Sequence, residues 1–340
     1  MTLEEKIAQM IVIYYISDEY DNLLSNVIQN VNPGGFILLK ENITNNNQLL
    51  EFIRKMQEDS KIPMFITIDQ EGGTVQRLHK KNDIKVETIP DMKTIGDTKD
   101  YNKAYEIGKQ IGKDLYKYGI NMNFAPVIDI YSNSDNTLME TRSFGNNPDI
   151  VSNMGIEVAR GLIEEQIIPV YKHFPGHGDT SVDSHYDLPI LNKTYDELLD
   201  FELIPFIKAI ENDAKAIMVG HIATPKITND NTPASLSKIM ITDILRERLG
   251  FDGIVITDAL NMASLTKNYT QKEIIIKAIN AGANMLLMPG SSKQTISIIK
   301  EAIEQKEIEE KLITNSAKKI LELKFSNNAY FEDYYKKTNS

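Results

Sequence analysis

Eight short apolar runs rich in β-branched residues recur along the chain: Ala8 to Tyr14, Gly35 to Leu39, Met64 to Ile68, Asn121 to Pro126, Ile168 to Lys172, Ala216 to Gly220, Gly253 to Thr257 and Met285 to Met288. Between them lie longer stretches with apolar residues three or four apart, such as Ala104, Gly108, Ile111, Leu115 and Val151, Met154, Val158, Leu162. Runs this short and continuously apolar suit strands covered on both faces, and the 3.6-residue period of the intervening stretches suits the covering helices. Two helix starts carry the reciprocal capping pattern, Thr194 with Glu197 and Thr270 with Glu273. Alternation of strand and helix predicts an α/β fold with a parallel sheet, and eight such units predict a (β/α)8 TIM-type barrel. An open doubly wound sheet is the competitor. Its nucleotide-binding version is disfavoured, because no glycine-rich phosphate fingerprint follows any strand.

The bulk of the chain agrees with a single domain. At 340 residues and 41% hydrophobic content it can bury one large core, so residues 1–325 are expected to form the barrel and 326–340, polar and aromatic without a period, a surface tail. Lys and Arg number 37 against 48 Asp and Glu, a net charge of −11, with the basic residues scattered. That balance excludes the electrostatic footprint of nucleic acid binding or of an anionic membrane partner, and favours a small neutral ligand. No apolar run approaches the length of a membrane span, and MTLEEKIAQM has no basic segment leading into an apolar one. A cytoplasmic monomer is expected, with export left open should an upstream signal have been removed. Zero cysteines exclude disulfides and thiolate metal ligands.

The predicted strand ends carry charge: Asp69, Asp129, Lys172 with His173, His221 and Asp258. Charges placed straight after buried strands are costly unless they are paired or face a cavity, so they predict a polar pocket at the C-terminal face. Asp129 is equally readable as a helix N-cap and His221 as a hydrogen-bonded packing residue; neither receives a role. Asp69 and Glu71 precede the turn-forming pair Gly72 and Gly73, with Arg77 following, an arrangement that fits ligand contact or a structural salt bridge. Arg142, in ETRSFG, can clamp hydroxyls or a carboxylate, or simply be solvated.

The segment KHFPGHGDTSVDSH, Lys172 to His185, holds three of the five histidines. Its proline and glycines exclude the helix that an HxxxH metal pair requires, which argues against a metal on His173, His177 and Asp179. Asp183 and His185 are two apart, on the same side of an extended segment, so the carboxylate can orient the imidazole for acid/base work. Asp258 ends a strand before a helical start; it reads as an N-cap or as an ionised nucleophile. A nucleophilic carboxylate with a separate proton donor is what a retaining glycosidase requires.

In that order, DQEGGTVQRL, TRSFG, KHFPGHGDTSVDSH and ITDALNM resemble glycoside hydrolase family 3, in its bacterial β-N-acetylglucosaminidase (NagZ-like) branch, over nearly the whole chain. The resemblance implies a (β/α)8 barrel, retaining removal of terminal N-acetylglucosamine from β-linked glycosides including muropeptides, and no cofactor. It implies that Asp258 is the nucleophile, His185 the acid/base and Asp183 its partner. Asp69, Arg77, Arg142, Lys172 and His173 match residues that hold the sugar or shape its pocket, and His177 with the glycines matches the lid. Two departures stand out: the chain ends soon after the barrel, where many members continue into a second domain, and it has no tryptophan for sugar stacking.

Three other readings compete. A phosphorylase would use the same residues with phosphate as acceptor. A non-catalytic sugar-binding barrel would retain the pocket without turnover, and a metal-dependent hydrolase would lose activity to chelators. Muropeptides and chitooligosaccharides remain alternative natural substrates.

Overall fold

The computed structural model describes residues 1–79, 83–180 and 187–326. It is a single-domain α/β fold built on parallel strands. Six of them, β1 (Ile11–Ile13), β2 (Gly35–Leu38), β3 (Phe65–Ile68), β6 (Met122–Asn123), β7 (Ile168–Pro169) and β11 (Leu286–Leu287), form one sheet in the order β11-β1-β2-β3-β6-β7. A second sheet holds β10 (Ile254–Thr257), β9 (Ala216–Val219) and β8 (Tyr171–Phe174) in that order. A short antiparallel hairpin, β4 (Gln70–Gly72) with β5 (Val75–Gln76), follows β3 directly. Isolated parallel bridges join Val127 to Lys172 and Ile256 to Met285.

All eight predicted runs contain a strand, and every residue of the parallel strands is buried. The boundaries need correction at three places. Ala8 and Gln9 belong to the helix Leu3–Gln9, not to the first strand. This helix begins with a capping box at Thr2 and Glu5, which satisfies free amides at its start and commits the next residues to helix. The fourth run narrows to Met122–Asn123, and the fifth breaks into β7 and β8 at Val170. The final helix, Glu310–Ser326, runs one residue past the expected domain limit, and positions 327–340 lie outside the described residues.

The helical stretches form as their periods predict. Ala104, Gly108, Ile111 and Leu115 are the buried face of Tyr101–Lys117, and Val151, Met154, Val158 and Leu162 that of Pro148–Glu164. Both predicted capping boxes are present, at Thr194 and Thr270. Among the described residues no helix is long and apolar enough to cross a membrane. One continuous apolar core runs from Ile7 to Ile320, so strand ends distant in sequence are held rigidly beside one another.

Candidate active site

A cavity of about 420 Å³ opens where the strands end, lined by Asp69, Glu71, Arg77, Arg142, Lys172, His173, His177 and Asp258 together with Leu39, Met139, Met218, Met262 and Met288. Six of the residues singled out from the sequence, Asp69, Arg77, Arg142, Lys172, His173 and Asp258, therefore meet in one place. Asp183 and His185 lie outside the described residues.

One wall is a chain of alternating charges. Arg77 Nη2 lies 3.4 Å from Asp69 Oδ2, and Lys172 Nζ donates to Asp69 Oδ1 at 2.8 Å and to Glu71 Oε1 at 2.6 Å. Glu71 then takes Arg142 bidentately, Nε to Oε2 and Nη2 to Oε1, both at 2.7 Å. The hairpin makes this possible. Gly72 and Gly73 turn with φ of 111° and 55°, in the left-handed half of backbone space, and a Cβ on Gly73 would stand 2.8 Å from the Asp91 Cα. Burial pushes the Glu71 carboxyl up, but the Arg142 and Lys172 charges outweigh it and hold it far below its usual range. Burial likewise works against the Lys172 ammonium, and Asp69 and Glu71 overcome it, raising its pKa.

Asp129 organises a second wall. It is fully buried and caps no helix: its carboxylate accepts from the His173 and His177 amides, at 3.2 and 2.7 Å, and from His173 Nδ1 at 2.7 Å. Because a carboxylate can only accept, the His173 proton sits on Nδ1. Burial raises the Asp129 carboxyl, and the His173 ring beside it more than reverses the effect. His177, its ring 5.9 Å from that of His173, is pushed down to about 4 by burial and then by His173, so it stays neutral near pH 7. Asp179 turns elsewhere, to the Ser132 hydroxyl at 3.0 Å and Lys193 at 3.3 Å. Among the described residues no group of three or more His, Asp or Glu side chains has the arrangement to hold a metal ion.

Asp258 follows β10, with its amide bonded to the Val219 carbonyl at 3.0 Å and its Oδ1 accepting from the Ala259 amide at 2.7 Å. Burial raises this carboxyl, but the His221 and His173 rings, the Ala259 amide and Lys172 hold it below the usual range, so it is ionised near neutrality.

Residues 2–323 match the model of the glycosyl hydrolase family 3 N-terminal domain. The chain belongs to glycosyl hydrolase family 3. Within that family it is similar to β-hexosaminidase A of Pseudoalteromonas piscicida, 32% identical over 331 residues that cover 88% of this chain and 54% of that protein. It is equally similar to the β-hexosaminidase of Haemophilus influenzae strain PittEE, 32% identical over 268 residues, 78% of this chain and 75% of that one. A solved family 3 β-N-acetylglucosaminidase from Paenibacillus sp. str. FPU-7 superposes with a TM-score of 0.92 at 33% identity, over 97% of this chain and 63% of that one. The chain thus spans 54% of the first of these relatives and 63% of the solved structure.

Two anchors were visible in the sequence, but their partners were not. Glu71 was visible beside Asp69, but nothing local marks it as the partner of an arginine 71 positions away. For Asp129 a signal existed: an N-cap needs a helix after it, and the next one begins only at Pro148.

Proposed function

We propose that this chain is a retaining exo-β-N-acetylglucosaminidase that releases terminal N-acetylglucosamine from β-linked glycosides, muropeptides or chitooligosaccharides. The observation that carries the reading is the position of Asp258: an ionised carboxylate in the same cavity as Asp69, Arg77, Arg142, Lys172 and His173. With Oδ1 held by the Ala259 amide, Oδ2 is the oxygen presented for attack on the anomeric carbon. Among the described residues no direct ion pair neutralises its charge, which suits a nucleophile. The alternating charged wall supplies fixed donors and acceptors for sugar hydroxyls, pre-oriented before substrate arrives.

His185, partnered by Asp183, delivers the proton to the leaving oxygen and then activates the water that releases the sugar. No cofactor enters this scheme. Its scaffold is a (β/α)8 barrel formed by residues 1–325, with β7 and β8 as one strand. Support for closure comes from the bridges Val127–Lys172 and Ile256–Met285 and from the Leu286 amide bonded to the Met10 carbonyl. The names of the relatives support the substrate class.

A chromogenic N-acetylglucosaminide tests the reading: wild-type protein should turn it over, and Asp258→Ala should lose nearly all of that activity. Turnover by Asp258→Ala near the wild-type rate would remove the nucleophile assignment. Product analysis in phosphate buffer separates hydrolysis from phosphorolysis, since only the latter yields the sugar 1-phosphate.

A further inference from the structure

His221 is fully buried, two residues beyond the end of β9, and does not line the cavity described above. Its Nε2 lies 2.9 Å from the Ala259 carbonyl oxygen, and its Nδ1 2.7 Å from Ser235 Oγ. A carbonyl can only accept, so the proton is on Nε2, and in the neutral ring Nδ1 accepts from the Ser235 hydroxyl. Ser235 is itself fixed, within the tight turn Ala234–Leu236 whose first amide bonds to the Ile222 carbonyl at 2.8 Å. The result is a continuous relay of orientation: Ser235 Oγ to His221, His221 to the Ala259 carbonyl, and the Ala259 amide to Asp258 Oδ1 at 2.7 Å. The Ala259 carbonyl also accepts from the Met262 amide at 3.1 Å, which closes the turn on itself. His221 is the link that fixes this turn to the neighbouring strand end.

We propose that His221 is a positioning residue for Asp258: by gripping the Ala259 carbonyl it anchors the residue whose amide, on the preceding peptide, holds Oδ1, and so keeps the other carboxylate oxygen aimed into the cavity. Besides lowering the Asp258 carboxyl directly, the ring acts through Ala259, and it does not line the cavity that would take the sugar. This inference rests on Asp258 as the nucleophile. Positioning of a reacting group affects the chemical step more than the binding of a ground-state sugar, because small misalignments cost rate steeply.

The test compares His221→Asn with His221→Gln, read by steady-state kinetics on a chromogenic N-acetylglucosaminide alongside Asp258→Ala. The longer glutamine amide reaches the Ala259 carbonyl and should retain kcat within about fivefold; asparagine falls short and should lose ~30-fold or more in kcat, with KM within about twofold. Ser235→Ala, which leaves the imidazole in place, should lose ~3- to 10-fold in kcat and guards against a His221 variant that does not fold. Equal kcat for His221→Asn and wild type, a loss confined to KM, or identical losses in both His221 variants would overturn the inference. If Asp258→Ala stays active, the nucleophile reading has failed instead, and the two failures are distinguished.

Discussion

Glu71 grips Arg142 with both carboxylate oxygens, each at 2.7 Å, in a site where the glutamate side chain is 1% exposed. The same glutamate holds Lys172, so one buried anion fixes two cations that also face the cavity. Both of its oxygens are engaged by these partners, which makes it a support for the sugar-facing residues.

Glu71→Gln keeps the shape and removes the charge. The amide nitrogen then faces a donor on Arg142 or Lys172, and both cations lose part of the charge that offsets their burial. Breaking a buried pair from one side typically destabilises by about 3–5 kcal/mol. Urea unfolding should report a loss of that order, and KM should rise ~10-fold or more while the kcat of the folded fraction changes less. An unchanged KM would mean that Arg142 and Lys172 do not need Glu71 to reach the sugar.

Asp129→Asn sets three donors, the His173 and His177 amides and His173 Nδ1, against a side chain that is itself half donor. One of those groups loses its partner in a buried site, at a cost of about 1–3 kcal/mol. His173 is also released from its fixed tautomer, so kcat/KM should fall ~10-fold or more. The imidazole 15N shifts of His173 provide the direct check: proton on Nδ1 in the wild type, and a mixture of tautomers in the variant.

Much of this site was legible in the sequence because strand ends are legible. A charged residue immediately after an apolar run has few places to go other than a cavity mouth, and this reasoning placed Asp69, Lys172, His173 and Asp258 together across a separation of 189 positions, from 69 to 258. The supporting residues were harder, since Glu71 and Asp129 owe their roles to partners brought close only by the fold. At the N-terminus, apolar content concealed a boundary. Ile7 and Ala8 are buried as core residues whether helical or extended, and only the capping pair Thr2 and Glu5 announces that the chain is still helical there.

Gly178 sits in the segment that carries His177 and Asp179. A Cβ at this position would lie 1.7 Å from the Ile130 carbonyl oxygen, and that oxygen belongs to backbone continuous with Asp129. Gly178→Ala must therefore displace one of the two segments, and with it the bond from the His177 amide to Asp129 at 2.7 Å. A destabilisation of roughly 1–3 kcal/mol is expected from such overpacking, with a ~10-fold or greater fall in kcat/KM. Thermal melts and kinetics on the purified variant would both have to remain at wild-type values for the close approach to be irrelevant.

Lys324, far from the chemistry, offers a stability test with a definite sign. Its side chain is 1% exposed, donates to Gln9 Oε1 at 2.8 Å and lies 5.1 Å from the centre of the Phe65 ring. Burial lowers its pKa from 10.5 to about 7. Between those values the unfolded chain carries a proton here that the folded chain has released, so this residue makes stability rise as pH climbs from 7 towards 10.5 and fall in the opposite direction. The full difference is roughly 5 kcal/mol as an upper bound. Lys324→Met removes that dependence, but it also strands Gln9 Oε1, at a cost that does not vary with pH. The informative quantity is therefore the gap between variant and wild type across a pH series, measured by urea unfolding. The variant should gain on the wild type as pH falls from 10 to 7, by a few kcal/mol over that window. A gap that stays constant with pH would show that the folded protein keeps Lys324 protonated throughout.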